Sequence, residues 1–354
     1  MSDFLIPAMQ RLSPYVPGEQ PQGKQYIKLN TNENPYPPSN RVLDALSREF
    51  ISQLNLYSDP TALSLRHTIA DQYGLSPENV FTANGSDEVL GFAFRAFCDA
   101  SHPVTIPDIS YGFYRVYAKL FETEAKQIPL NEDFTLPVDK FLHVNTTVAF
   151  ANPNAPTGIA LPLSDVEKII ASNQDHVVIV DEAYVDFGAE SVLSLLPKHP
   201  NLLVVRTYSK AYSLAGARLG YAFGSPELIS DLDRIRNSFH PYNINRLTML
   251  AGIEAMLDRD YFDECIHKVT SERKRAMTVL RSLGFEVTDS QGNFLFAAHP
   301  ALSGKAYYEG LKDRGILVRY WDEPRLYAHI RITVGTPEQM DALFTATKEI
   351  FAEV

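Results

Sequence analysis

The sequence predicts an α/β fold: a large domain built on a mainly parallel sheet sandwiched by helices, followed by a smaller α+β domain. Three observations carry this expectation. From about residue 80 to 225, short apolar runs alternate with helical patterns. Several of these runs are apolar at every position, as strands covered on both faces by helices must be. After about residue 283 the rhythm changes to short strands interrupted by two helices, which points to a second, smaller unit.

Residues 1–38 read as an arm. Pro14, Pro17, Pro21, Pro35, Pro37 and Pro38 interrupt any helix, and Gly18 and Gly23 add turns. Tyr15, Val16, Tyr26, Ile27 and Leu29 still offer surface for packing. Val42, Leu46, Phe50 and Leu54, four residues apart, predict an amphipathic helix over about 40–54. The expected strands are Val80–Thr82, Val104–Ile106, Val148–Ala151, Val177–Val180, Leu202–Val205 and Leu219–Phe223. Between them fall helices such as Asp87–Phe97 and Val166–Ala171, the second preceded by Ser164 and Glu167 in capping-box spacing.

A long helical stretch over about 245–283 follows. Then come a strand near Phe285–Val287, strand Phe294–Ala297, helix Ala306–Arg314, strand Ile316–Arg319, strand Ile330–Val334 and a last helix. Thr336, Pro337 and Gln339 supply that helix with a cap, a first-turn proline and a capping-box partner. The expected division is an arm over 1–38, a large domain over 39–245 and a small domain over 246–354.

Composition narrows the function. The 354 residues carry a formal net charge of −11, which disfavours a general nucleic-acid binder. Cys98 and Cys265 are the only cysteines, too few and too far apart for a disulfide scaffold or a thiolate zinc site, so no metal is expected. Residues 1–10 lack the cationic start and apolar stretch of a signal peptide, and no segment has the length and apolarity of a membrane span. A cytoplasmic protein is the expectation.

Four segments at expected strand ends carry chemistry. Thr207–Gly220 places Lys210 eight residues before Arg218, which could set an amine beside an anion site. Asp181 ends a buried apolar run, where open α/β sheets place ligand contacts. Asn154 is held between Pro153 and Pro156 in the run 151–158. Gly85, Ser86 and Asp87 open a helix after a strand, and free amides at a helix start bind phosphate. Each also has a plain structural reading: a solvated surface lysine, a capping carboxylate, a proline turn, an ordinary N-cap.

In this order the segments resemble the pyridoxal-phosphate-dependent aminotransferases of fold type I. The matching motifs are N-P-N-x-P-T-G at 152–158, D-E-A-Y at 181–184 and S-K-x-x-x-x-A-G-x-R at 209–218. Segments 12–18, 29–35, 84–88 and 330–335 are similar to the branch of that family that acts on histidinol phosphate. The resemblance spans nearly the whole chain and implies a large domain with a seven-stranded sheet.

It also implies roles. Lys210 would bond pyridoxal phosphate as a Schiff base and move the proton. Asp181 would keep the cofactor's ring nitrogen protonated, Tyr184 and Asn154 would donate to its ring oxygen, and Tyr111 would stack on the ring. Gly85, Ser86, Asp87, Ser209 and Arg218 would hold the phosphate, with Asp87 giving its backbone amide and acting as a cap. Tyr57 would reach the same phosphate from the partner of a homodimer. Arg331 and Arg319 would bind the substrate's anion, and Tyr15, Asn32 and Glu33 would line the pocket. The implied reaction converts histidinol phosphate and 2-oxoglutarate to imidazole-acetol phosphate and glutamate. An aromatic-amino-acid aminotransferase shares almost every motif, and a threonine-phosphate decarboxylase is a lyase rival. A transcriptional regulator with an aminotransferase-like domain would need a DNA-binding module, for which no basic helix-turn-helix remains.

Overall fold

A computed structural model describes residues 4–20, 23 and 25–353 of the chain. Pro21, expected to break the arm, lies outside the described residues. The large domain is built on seven strands: β1 Val80–Ala83, β2 Val104–Pro107, β3 Ala125–Ile128, β4 Thr147–Ala151, β5 Val178–Asp181, β6 Leu202–Thr207 and β7 Gly220–Phe223. Their order is β1-β7-β6-β5-β4-β2-β3. All neighbouring pairs are parallel except those made by β7, which runs antiparallel to β1 and β6.

Both faces of this sheet are covered. In β5, Val178 and Val180 enter one core and Ile179 the other; in β6, Leu202 and Val204 oppose Leu203 and Val205 in the same way. Alternate side chains point to opposite faces, so a strand buried on both sides must be apolar throughout. Helix Ser86–Phe97 shows the complementary pattern, burying Val89, Leu90, Ala93 and Phe94 along one side.

Because β7 alone is reversed, the C-terminal ends of β1, β2, β4, β5 and β6 meet the start of β7 along one edge. The loops leaving that edge carry the four chemical segments. This is the edge at which open α/β sheets bind ligands.

The smaller sheet is antiparallel, in the order β10-β11-β9-β8, with β8 Glu286–Val287, β9 Phe294–Ala298, β10 Arg319–Tyr320 and β11 His329–Thr333. Its core joins Leu295, Ala297, Ile330 and Ile332 to the last helix, Pro337–Ala352, which has the expected Thr336–Gln339 capping box. The arm reaches this unit directly: Ile27–Lys28 pairs in parallel with Ile316–Leu317, and Leu29 is buried in the small core.

Several local expectations are corrected. The helix expected over 40–54 is two short helices, Asn40–Ala45 and Arg48–Ile51, because Ser47 accepts from the Phe50 amide and starts a second one. The helix Leu163–Ser172 begins after Pro162, leaving Ser164 inside it, so the Ser164–Glu167 capping box does not form. The expected strand 316–319 is split between the arm pairing and β10. Among its described residues the arm contains one short helix, Pro7–Gln10. The stretch 245–283 is two helices, Arg246–Leu257 and Arg259–Ser282. The first of these gives Ala251, Ala255 and Met256 to the large core, while Ala276 and Leu280 belong to the small core. The hand-over between the cores therefore falls within the long second helix rather than at residue 245.

Candidate active site

The C-terminal edge of the large sheet faces the small sheet across a cavity of about 570 Å³. Tyr15, Tyr111, Tyr184, Lys210, Arg319 and Arg331, all expected at the site, line it together.

Lys210 sits in the turn after β6. Its Nζ donates to the Thr31 carbonyl at 3.2 Å, and Asn34 Nδ2 donates to the Lys210 carbonyl at 3.1 Å, which ties the turn to the arm. Burial, and then the positive charge of Arg331, lowers the amine from its ordinary 10.5 to about 8. At pH 7 roughly a tenth of such amines are neutral, against about three in ten thousand at the ordinary value, and the neutral form is the nucleophile.

Asp181, at the end of β5, is buried. Its Oδ2 accepts from Tyr114 Oη at 2.9 Å and its Oδ1 from the Ala183 amide at 3.1 Å. Burial raises the carboxyl to about 6, against the pull of these two donors. The next residue, Glu182, is anchored by Arg206 of β6, whose Nε and Nη2 reach Glu182 Oε2 at 3.0 and 2.8 Å. Arg206 also donates to Tyr73 Oη at 3.0 Å and lies 3.5 Å from Asp186. This buried network fixes the strand ends from which Asp181 and Tyr184 emerge.

Asn154 is buried in the loop after β4. Its Oδ1 accepts from Ser110 Oγ at 2.8 Å, and its Nδ2 donates to the Ile109 carbonyl at 3.1 Å and to Thr157 Oγ1 at 3.2 Å. Tyr184 Oη accepts from Asn32 Nδ2 at 2.9 Å. Tyr111 donates to Asp87 Oδ1 at 2.5 Å, and Arg218 Nη2 donates to Asp87 Oδ2 at 2.8 Å.

The start of helix Ser86–Phe97 is packed tightly on β7. Gly85, with φ +90°, is the N-cap, and a Cβ there would meet Arg218 Nη2 at 2.6 Å. A Cβ on Gly220 would stand 2.2 Å from the Ser86 amide nitrogen. The two glycines let the helix amides and the Arg218 guanidinium share one place. Ser209 is buried beside Lys210. Asp87 is not the cap it was expected to be: it lies inside the helix, and its carboxylate is used by Tyr111 and Arg218.

On the small-domain wall, Arg331 of β11 and Arg319 of β10 are register partners in an antiparallel pair. Arg331 Nη2 donates to the Asn30 carbonyl at 3.1 Å, while its buried Nε has no partner. Arg319 donates to the Pro17 and Val16 carbonyls, both at 3.0 Å.

Two expected pocket residues turn elsewhere. Asn32 is buried with φ +56°, and its side chain joins Tyr184 to Thr333 rather than facing the cavity. Glu33 pairs with Lys28 at 2.7 Å. Tyr57 lies away from this cavity in its own chain, 80% exposed and stacked on Tyr242 with ring centroids 4.6 Å apart. Thr31, Asn34, Tyr114 and Trp321 belong to the site and were not anticipated. Tyr114 is three residues after Tyr111 on a helix and reads as core, and only its hydroxyl contact distinguishes it. Among the described residues no cluster of three or more His, Cys, Asp or Glu is suited to a metal, and no helix is long and apolar enough to cross a membrane.

Residues 24–346 match the family described as aminotransferase class I and II. A histidinol-phosphate aminotransferase of Clostridium acetobutylicum is 46% identical over 352 residues, covering 99% of this chain and all of that protein. A histidinol-phosphate aminotransferase 2 of Burkholderia lata is 48% identical over 355 residues, with 99% and 100% coverage. Among solved structures, a histidinol-phosphate aminotransferase of Sinorhizobium meliloti in complex with pyridoxal-5'-phosphate superposes with a TM-score of 0.90 at 26% identity, covering 100% of this chain and 99% of that one.

Proposed function

The chain belongs to the class I and II aminotransferase family, and we propose that it transfers the amino group of L-histidinol phosphate to 2-oxoglutarate. The products are imidazole-acetol phosphate and glutamate, in a reversible ping-pong cycle of histidine biosynthesis. One observation carries the substrate assignment: Arg319 and Arg331 oppose each other in register on the wall of the cavity that Lys210 lines. Like charges directly opposite in a sheet destabilise it. A dianion relieves that cost, and guanidinium groups bind phosphate oxygens in a fixed fork geometry. The unpartnered Arg331 Nε leaves a donor for it.

Pyridoxal phosphate is the cofactor of the family, and the residues fit it. Gly85 and Gly220 let the start of helix Ser86–Phe97 lie beside Arg218, and the amides of Ser86 and Asp87 with Arg218 and Ser209 would hold the phosphate; Gly85 contributes by its missing side chain, since its own amide donates to the Ala83 carbonyl at 2.9 Å. Arg218 has one nitrogen on Asp87, which leaves its remaining N–H groups for that anion. Asp181, buried with two donors and raised to about 6, would gain most from a protonated ring nitrogen at its side. Tyr111 would stack on the ring. Tyr184 would donate to the ring oxygen, as would Asn154 after giving up its contact with Ile109 or Thr157. Bound here, the cofactor supplies an electron sink that lets a proton leave the carbon carrying the amino group. Lys210 would hold the cofactor covalently and, when displaced by the substrate's amine, take up and return that proton at Nζ. Asn32 keeps Tyr184 oriented, and Tyr15 closes the outer wall of the cavity.

The proposal includes a cytoplasmic homodimer in which Tyr57 completes the partner's phosphate site. Its support is a patch of exposed apolar side chains, Leu54, Leu56, Tyr57, Phe239 and Tyr242, around a second cavity of about 360 Å³. Monomers seldom leave patches of this kind uncovered. An aromatic donor is the second reading, favoured by Tyr15 and Tyr111 on the cavity wall, with Phe113 packed against both at ring-centroid distances of 4.6 and 5.5 Å. A panel of donors with 2-oxoglutarate decides between them. Histidinol phosphate is expected to have the highest kcat/KM, with histidinol far behind. Phenylalanine or tyrosine in the lead would replace the substrate assignment, and carbon dioxide release from threonine phosphate would replace the reaction.

A further inference from the structure

We propose that Trp321 is a specificity-determining residue for phosphorylated donors, holding Arg319 and Arg331 as a pair against its indole ring. The inference rests on the reading that these arginines bind the donor's phosphate. Trp321 is the only tryptophan in the chain and follows β10 directly. It lines the cavity. The guanidinium carbon of Arg319 lies 5.2 Å from its ring centre and that of Arg331 5.3 Å. The indole is packed against the small cluster of Ile109, Leu130, Phe296 and Leu326. Each arginine has a further restraint: Phe294 lies 5.4 Å from the Arg331 guanidinium, and the arm carbonyls of Val16 and Pro17 hold Arg319.

The physical role follows from what an aromatic face can and cannot do. It attracts a cation electrostatically, most strongly where water is thin. It does not consume in-plane N–H donors as a carboxylate would. Trp321 therefore offsets the repulsion of two opposed cations without consuming the N–H groups that the arm carbonyls leave free. An aliphatic residue there would leave them free to separate or to turn toward Glu323, a carboxylate that lines the same cavity. A dianion that needs both guanidiniums loses more from that disorder than a carboxylate that needs one. The change should therefore divide the two half-reactions, weakening the phosphorylated donor and sparing glutamate.

The test uses holoenzyme with inorganic phosphate as the probe, followed by kinetics. Phosphate should change the emission of the single tryptophan saturably, and acetate should not. In Trp321→Leu the phosphate Kd and the KM for histidinol phosphate should rise about tenfold, while kcat and the KM for glutamate stay within about threefold. Trp321→Phe, which keeps an aromatic face, should restore both to within about threefold of wild type. Undiminished phosphate binding in Trp321→Leu, or equal losses for phosphate and glutamate, overturns the inference. Should that variant not fold, the wild-type titration decides: phosphate binding seen by calorimetry with silent tryptophan emission also overturns it. Failure of the underlying reading looks different. Phosphate would then bind Arg319→Ala and Arg331→Ala as tightly as wild type, or fail to bind wild type at all, and the role of Trp321 falls with it.

Discussion

Replacing Lys210 by methionine should end catalysis yet make the cofactor-free protein more stable near neutral pH. The amine is lowered from 10.5 to about 8 in the fold, chiefly because burial penalises its charge. Each unit is worth about 1.36 kcal/mol, so the native state carries a penalty of up to roughly 3 kcal/mol wherever both states are protonated. Lys210 lines an open cavity, and solvent screening there makes this an upper bound. Methionine removes the charge at similar length and forfeits the contact with the Thr31 carbonyl, worth about 1 kcal/mol. A net gain of about 1–2 kcal/mol remains at pH 7. The sign fixes the pH profile. Between pH 8 and 10.5 the unfolded chain binds a proton that the folded one has lost, so wild-type stability rises with pH across that window. The advantage of Lys210→Met should accordingly shrink toward pH 10. Urea unfolding of both cofactor-free proteins at equal concentration, at pH 7 and pH 10, measures this. A methionine variant less stable than wild type at pH 7, or a gap that does not change with pH, would refute the assignment of Lys210 as a desolvated amine.

Asp181→Asn keeps the shape and removes the charge proposed to hold the ring nitrogen's proton; a loss of about 100-fold in kcat, equal to about 2.7 kcal/mol of barrier, is expected, and near-normal turnover would reduce Asp181 to a structural group. Glu182→Ala strands the buried Arg206 guanidinium and should cost roughly 3–5 kcal/mol in denaturant unfolding, softened by Asp186 at 3.5 Å; a loss under about 1 kcal/mol would show the network to be dispensable. Mixing Lys210→Ala with a Tyr57→Phe protein of low residual activity should restore turnover, because hybrid dimers contain one intact site. An active species that sedimentation shows to be monomeric would end the proposal that Tyr57 acts across an interface.

What could be read from the sequence, and what could not, divides along physical lines. Strands buried on both faces announce themselves as unbroken apolar runs, and the short polar motifs after β1, β4, β5 and β6 are placed by those runs. The strand β3 was not anticipated because it lies at the sheet edge, with Lys126 and Gln127 exposed, so its composition resembles a loop. The periodicity of Val42, Leu46, Phe50 and Leu54 is real, but a single serine cap at Ser47 outweighs it, and Leu54 is left exposed. Asn32 and Glu33 are neighbours in a motif, yet one is buried against Tyr184 and the other pairs with Lys28 on a different side. The left-handed backbone at Asn32 sends them apart, and a string of letters does not show it. Contacts supplied by backbone carbonyls, such as Thr31 on Lys210, are illegible for the same reason: any residue type offers one.

The charge distribution ties the proposed anion site to Lys210. The chain carries a net charge of −11, yet five cationic side chains line the main cavity against two carboxylates, Asp108 and Glu323. A concentration of one sign inside a low-dielectric cleft attracts anionic substrates in spite of the protein's overall charge. Arg331 has a second effect, since after burial its charge is the largest cause lowering the Lys210 amine. An anion bound to Arg331 cancels much of that charge and removes this cause while burial persists. The amine's pKa then moves upward, so more of Lys210 carries a proton once an anion is seated. Before binding, the same arginine keeps more of the amine neutral and therefore nucleophilic. One guanidinium thus favours a neutral, nucleophilic lysine when the cavity is empty of substrate and a more fully protonated one when it is filled, a pairing that suits the proposed capture of the cofactor and the proposed return of a proton from Nζ.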